Sequence, residues 1–345
     1  METMYGLVKA APAPGAEIQE NLPIPSVGPR DVLVRVRATA ICGTDSHIMA
    51  WTPYAQQRVP TPMVFGHEFS GDVVQVGSEV TEVKVGDRVA GETHIPCNHC
   101  RMCLSNKRHI CENMKIIGVH VPGAFAEYIS FPADDAFKLA PDFPYETGAI
   151  LEPMGVAVHG VDCGDVAGKT VVVNGCGPIG LMAVGAAKAW GAKQVIALDV
   201  IDEKLRVATE MGADVVLNSR TLDAAAEVVR LTDGGADVAL DYTGVIPAIK
   251  SLFRMITNGG RIVLVGLPND PIELDLTSDI IYKEATVVGS TGRLMYKTWE
   301  QCIELIQSGK FPVEPVISGK YTLRDFEKAF ADIKAGKPGK MLLIP

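Results

Sequence analysis

A thiol, an imidazole and two carboxylates stand far apart in the chain, at Cys42, His67, Glu68 and Glu152, with the middle pair inside Gly66-His67-Glu68-Phe69. Zinc takes Cys, His and carboxylate ligands, and a catalytic zinc keeps one position open for water or substrate. Ligands so dispersed converge only through tertiary structure, so this reading predicts a fold as well as a site. Cys42 and His67 are the firm ligands, with Glu68 and Glu152 sharing the remaining protein position. An alcohol at the open position would meet a Lewis acid of the kind that brings the pKa of bound water from 15.7 to about 7. Thr44, whose hydroxyl donates and accepts at once, and His47, of the type that titrates near neutrality, are the candidates to pass the alcohol proton outward.

A second constellation is Cys97, Cys100, Cys103 and Cys111, spaced C-x2-C-x2-C-x7-C on a polar loop. Four thiolates at this spacing suit a closed, structural zinc. An iron-sulfur cluster also takes four cysteines, and a nucleic-acid-binding zinc ribbon would want basic and aromatic surroundings. The third constellation is Gly175-Cys176-Gly177-Pro178-Ile179-Gly180, which follows the apolar run TVVVN, opens an Ala-rich helix and precedes Asp199 at the end of VIALD. The glycines allow a tight turn, close approach of backbone to a pyrophosphate, and helix-strand packing, while the helix N-terminus offers amides to phosphate. Asp199 suits the adenosine ribose hydroxyls and repels a 2′-phosphate, which selects NAD over NADP. Lys204 stands on the adenine side, and Arg293, in Gly-Ser-Thr-Gly-Arg, is a candidate for the cofactor or the domain cleft.

The elements that must position these groups fall into two textures. A chain of 345 residues exceeds a single core, so two domains are expected. From Met4 to Gly91, alternating runs broken by Pro and Gly (DVLVRVRATA, GDVVQVG, VGDRVAG) predict an antiparallel barrel or sandwich, with a short helix in ICGTDSHIMAW capped by Asp45 or Thr44. Glu152, before Pro153, is placed at a turn or helix start. From Lys169 onward strand and helix alternate, which predicts a doubly wound parallel sheet. The expected division is residues 1–157 for the β-rich catalytic domain with both zinc sites, 158–290 for the dinucleotide-binding Rossmann domain, and 291–345 for a return to the first.

Net charge is -9 with a pI near 5.3, and no Lys/Arg block stands out, which points away from nucleic acid and anionic membrane toward a small-molecule substrate. The start lacks a signal-peptide pattern and no long apolar run is free of polar residues, so a cytoplasmic protein is expected. His99, His109, His120, His159, Cys163, Cys176 and Cys302 carry no pattern that lifts them above loop or core residues.

The stretches ICGTDSHIMAW, PMVFGHEFSGDVVQVG, GETHIPCNHCRMC, GAFAEYISFP, LEPMGVAVHG, GCGPIG and STGRLMYKTWEQCIELIQSGK resemble the zinc-dependent medium-chain alcohol dehydrogenases over the whole chain, and within them the L-threonine 3-dehydrogenases. The resemblance implies a GroES-like catalytic domain beside the Rossmann domain, one catalytic and one structural zinc per subunit, NAD, and a homotetramer. It implies oxidation of threonine at C3 to 2-amino-3-oxobutyrate, with His94, in GExH, at the amino-acid end of the substrate. One departure is Val156, where many threonine dehydrogenases carry an amide. Polyol dehydrogenases of the sorbitol type share the metal and cofactor equipment and are the alternative. A non-catalytic binding protein on the same fold would show damage among Cys42, Thr44, His47, His67 and Glu68, and all are present.

Overall fold

The computed structural model describes residues 2–345 and divides the chain into two compact units: residues 1–153, 319–336 and 340–345 form one, and residues 154–318 and 337–339 the other. Met1 lies outside the described residues. The boundary expected at 157 therefore falls at 153, and the chain returns to the first unit at Gly319 rather than at 291. The reason is apolar: on the helix Lys297–Gln307, Trp299, Cys302 and Leu305 are buried, as is Phe311, which packs against Gly185 of the second unit.

The second unit is built on six parallel strands: β1 (Thr170–Asn174), β2 (Gln194–Asp199), β3 (Val215–Asn218), β4 (Ala236–Asp241), β5 (Ile256–Leu264) and β6 (Thr286–Gly289). Their order is β3-β2-β1-β4-β5-β6, so the sheet reverses direction between β1 and β4. β1 is buried along its whole length, as expected of a strand covered on both faces. The connecting helices are α1 (Pro178–Ala189), α2 (Asp202–Glu210), α3 (Ala224–Leu231) and α4 (Ile246–Met255). Pro178 stands in the first turn of α1, where its missing N–H costs nothing, and the Asp223 carboxylate caps α3 by accepting from the amides of Ala225 and Ala226.

The described strand pairs of the first unit are antiparallel, beside one isolated parallel bridge between Ile117 and Val121. Strand Asp31–Ala40 is its spine, pairing with Glu68–Val76, with Tyr128–Pro132 and with the final strand Lys340–Ile344. Along the spine, buried Val32, Val34 and Val36 face the core while Arg35 and Arg37 are exposed, the period-2 pattern of a half-buried strand. Two apolar clusters fill it, one around Val34, Phe69 and Phe131 and one around Leu7, Phe65, Phe125 and Leu343. The predicted helix is Gly43–Ala50, but neither Thr44 nor Asp45 is its N-cap. Cys42 occupies that position, and Asp45 turns back so that its Oδ2 accepts from the Cys42 amide at 2.8 Å.

Candidate metal centres and dinucleotide site

In the first unit, ligand atoms of Cys42, His67 and Glu68 lie within 4.8 Å of one another. Cys42 follows the spine strand, and His67 and Glu68 enter the neighbouring strand, so one antiparallel pairing (Ala40 opposite Glu68) brings the thiol and the carboxylate together. Gly66 makes the turn possible: its φ is +87°, and a Cβ there would meet the Phe125 ring at 2.3 Å. Glu152 is buried on the first turn of the helix Leu151–Gly164 and contributes to the electrostatics of His67 and Glu68, but it is not among the ligand atoms within that 4.8 Å set.

Two partners went unrecognised in the sequence. Asp45 is fully buried with Oδ1 3.6 Å from His67 Nδ1, a charge contact longer than a hydrogen bond that leaves both atoms without a hydrogen-bond partner. Lys340, on the last strand, donates to both Glu68 carboxylate oxygens at 2.5 and 2.6 Å and to the Ile41 carbonyl at 3.1 Å. Nothing local in the sequence marks Lys340, which is 272 residues from Glu68, and the sequence offers Asp45 only as an N-cap, a position that Cys42 takes instead.

Burial disfavours the protonated form of His67, yet Asp45, Cys42 and Glu152 outweigh it and push its pKa up to about 10. Burial likewise lifts Glu68 to about 7 against the pull of Lys340. The negative charge of Asp45, Cys42 and Glu152 that favours a proton on His67 favours a divalent cation for the same reason, and the donor set of sulfur, nitrogen and oxygen is one that zinc takes. The residues fit a zinc ion.

Thr44 is half-buried and hydrogen-bonded to Tyr54, whose hydroxyl burial pushes up, while His47 is exposed with Nδ1 3.2 Å from Thr52 Oγ1 and its ring 5.9 Å from that of Tyr54. His94 opens the short strand His94–Ile95, its Nδ1 3.5 Å from buried Glu92.

The four lobe cysteines also gather within 4.8 Å. Cys100 Sγ lies 3.5 Å from Cys103 Sγ and 3.8 Å from Cys111 Sγ. Tetrahedral sulfurs at a zinc–sulfur distance of about 2.3 Å stand roughly 3.8 Å apart. Amides of Cys97 and Asn113 donate to Cys111 Sγ at 3.2 and 3.3 Å. Hydrogen bonds led by the His99 amide hold the Cys97 thiol low, while burial pushes Cys103 up. No Phe, Trp or Tyr interleaves the cysteines, although Arg101, Lys107 and Arg108 do, and the set fits a structural zinc.

In the second unit, Gly175 closes β1 with φ +95°, and a Cβ on Gly180 would sit 1.8 Å from the Gly175 carbonyl. Gly177 differs: a Cβ there would meet nothing within 4 Å. Protein packing gives no reason for glycine at that point, whereas a pyrophosphate lying on the backbone does. Gly177 caps α1 with no side chain, so the amides of Ile179 and Gly180 face outward from the helix start. Asp199 Oδ2 accepts from the Cys176 amide at 2.8 Å and Oδ1 from Val200 and Ile201 at 2.8 and 3.0 Å. Burial and the Asp199 charge push the Cys176 thiol up, and Lys204, half-buried on α2, stands near enough to oppose them. Beside Asp199 opens a cavity of about 320 Å³ lined by Asn174, Leu198, Val200, Leu222, Val245 and Pro247 among others, the place an adenosine would take. Arg293, the candidate for the cofactor or the domain cleft, is fully buried, packed against Gly155 and with its guanidinium 5.9 Å from the Trp299 ring.

Residues 28–142 match the alcohol dehydrogenase GroES-like domain, and residues 178–308 match the zinc-binding dehydrogenase domain. The chain is 46% identical to the L-threonine 3-dehydrogenase of Bacillus licheniformis over 343 residues, 99% of each chain. It matches the structure of a zinc-binding dehydrogenase from Sinorhizobium meliloti bound to NADP with TM-score 0.92 and 31% identity over 100% of both chains. It matches galactitol-1-phosphate dehydrogenase from Escherichia coli with TM-score 0.91 and 30% identity, over 99% of this chain and 100% of that one. The chain belongs to the zinc-dependent medium-chain alcohol dehydrogenases, as an enzyme with a GroES-like and a Rossmann unit. Within that family its similarity runs, over the full chain, to the L-threonine 3-dehydrogenases.

Proposed function

We propose that this enzyme oxidises the C3 hydroxyl of L-threonine to 2-amino-3-oxobutyrate with NAD as acceptor. The observation that carries the oxidation of an alcohol is the convergence of Cys42, His67 and Glu68, backed by Asp45 and Lys340. When bound, zinc supplies Lewis acidity toward the hydroxyl and NAD accepts the hydride. Cys42, His67 and one of Glu68 and Glu152 hold the catalytic zinc, and Cys97, Cys100, Cys103 and Cys111 hold the structural one. Thr44 accepts the hydroxyl proton as it gives up its own, and His47, being exposed, passes a proton on to water. His94, steadied by Glu92, faces the amino-acid end of the substrate.

Gly175, Gly177, Pro178, Ile179 and Gly180 cradle the pyrophosphate. Asp199, with lone pairs remaining beyond its three amide bonds, receives the ribose hydroxyls and excludes a 2′-phosphate. Lys204 flanks the adenosine, and Arg293 shapes the cofactor unit from within. The similarity to L-threonine 3-dehydrogenases supports the substrate. Val156, in place of an amide, and the likeness to a dehydrogenase of a phosphorylated polyol favour a polyol or other secondary alcohol as the second reading.

Reduction of NAD with L-threonine and with sorbitol, side by side on zinc-loaded protein, decides between them. A preference for threonine is expected; turnover of sorbitol alone moves the substrate to the polyol branch, and no turnover of either refutes threonine and sorbitol and moves the test to a panel of secondary alcohols. Asp199→Gly should raise NADP use relative to NAD.

No helix among the described residues is long and apolar enough to cross a membrane. We place the enzyme in the cytoplasm, where its unpaired thiols stay reduced. We also assign it a homotetramer: β6 is an open sheet edge, and Leu276, Ile281, Tyr282 and Val287 near it are 59%, 63%, 77% and 40% exposed, a surface for a second copy. Light scattering on the purified chain tests this.

A further inference from the structure

Asp241 closes β4 at the point where the sheet reverses, and it is fully buried. One oxygen of its carboxylate, Oδ1, accepts from Asn174 Nδ2 at 3.0 Å and from Thr243 Oγ1 at 2.7 Å, while Oδ2 accepts from the Gly244 amide at 3.0 Å. Its own carbonyl accepts from the amides of Val265 and Gly266, both at 3.0 Å. Three loops are therefore joined at one residue: the turn after β1, the turn after β4 and the turn after β5.

The fit around it is close. A Cβ on Gly266 would stand 2.7 Å from Asp241 Oδ2, and one on Gly175 would stand 2.6 Å from Thr243 Cγ2. Thr243 Oγ1 in turn accepts from the Val245 amide at 2.9 Å, and both Val245 and Asn174 line the adenosine-sized cavity. Movement of the carboxylate is thus transmitted to the glycine turn on one side and to the cavity wall on the other. In doubly wound sheets a dinucleotide lies outside the carboxyl ends of the strands at the switch point, which is where these three loops end.

We propose that Asp241 is a positioning residue for the cofactor: a buried carboxylate that locks the three loops into the shape that binds the dinucleotide. This rests on the dinucleotide reading of the glycine turn. Asp241→Asn keeps shape and volume but turns one acceptor into a donor, so either the Gly244 amide loses its acceptor or the Asn174 amide and the Thr243 hydroxyl must reverse, and the present network is broken in both cases.

The test is the dissociation constant for NADH, read from nicotinamide fluorescence, in the wild type, Asp241→Asn, Thr243→Val and the double variant, with zinc content and thermal midpoint alongside. Asp241→Asn should weaken NADH binding about tenfold or more while zinc content stays at the wild-type value. Thr243→Val, which removes one donor and leaves the carboxylate, should weaken it less, and the double variant should be no weaker than Asp241→Asn. If Asp241→Asn fails to fold, Thr243→Val still reads the network, and its binding NADH as the wild type does overturns the proposal. Variants that melt earlier but bind NADH with wild-type affinity likewise overturn it. A wild-type chain that binds no NADH refutes the dinucleotide reading instead.

Discussion

Burying an ammonium and a carboxylate together costs several kcal/mol per ion, which their attraction repays only with close geometry and further hydrogen bonds. Lys340 and Glu68 meet that condition, since both Glu68 oxygens and the Ile41 carbonyl accept from one Nζ. Glu68 and the Lys340 ammonium stabilise each other's charged forms, although burial opposes both. Lys340→Met leaves Glu68 buried without its partner, and equilibrium denaturation should show a loss of about 3–5 kcal/mol. Lys340→Arg should restore part of it. Asp45 acts at the same scale through the other ligand. With Asn in its place the His67 ring loses its charged partner, and metal titration of Asp45→Asn should show zinc affinity lowered about 10–100-fold.

Each zinc set belongs to a different kind of element. Cys42, His67 and Glu68 hang from two paired strands whose cores are filled by Val34, Phe69 and Phe131, so the scaffold stands on apolar burial. The cysteine lobe has little of this: its cluster is the cysteines themselves with Met102 and Met114, while Leu104 is 77% exposed. A segment with so small a core depends on its metal. Cys100→Ser should therefore lower the thermal midpoint or the soluble yield, whereas Cys42→Ser should abolish turnover and leave the melting curve near that of the wild type. Equal effects on stability would contradict the division into catalytic and structural sites. The strands and helices that carry these groups were legible because periodicity and breakers are local: Asp31–Ala40, Thr170–Asn174 and the helix Pro178–Ala189 fall where their patterns place them. Cap identity at Cys42 was not, because cysteine is rare as an N-cap and the reciprocal bond from Asp45 is a matter of geometry.

Over the whole molecule, carboxylates in both units set the response to acid. Burial pushes the Asp87 and Asp214 carboxyls up, but Lys138 and the Lys84 amide around the first, and Lys188 and the Val195 amide around the second, outweigh it and hold both below the usual range. An unfolded aspartate titrates near 3.9, so below that value the unfolded chain takes up protons first. Their contribution is thus present above about pH 4 and lost as pH falls through the lower folded value. The drop in thermal midpoint between about pH 7 and about pH 3 should be smaller in Asp214→Asn than in the wild type, and an unchanged drop would remove Asp214 from this account. By itself the sequence determined the chemistry available, since ligand types, the four-cysteine spacing and the glycine turn are set by composition and short-range order. It also determined the two textures of fold, because side-chain periodicity follows backbone geometry. Tertiary structure alone decided that Lys340 meets Glu68, that Asp45 meets His67, that Asp241 joins three loops, and that residues 291–318 stay with the dinucleotide unit. Each of these joins residues through packing and register, quantities that no local stretch of sequence encodes.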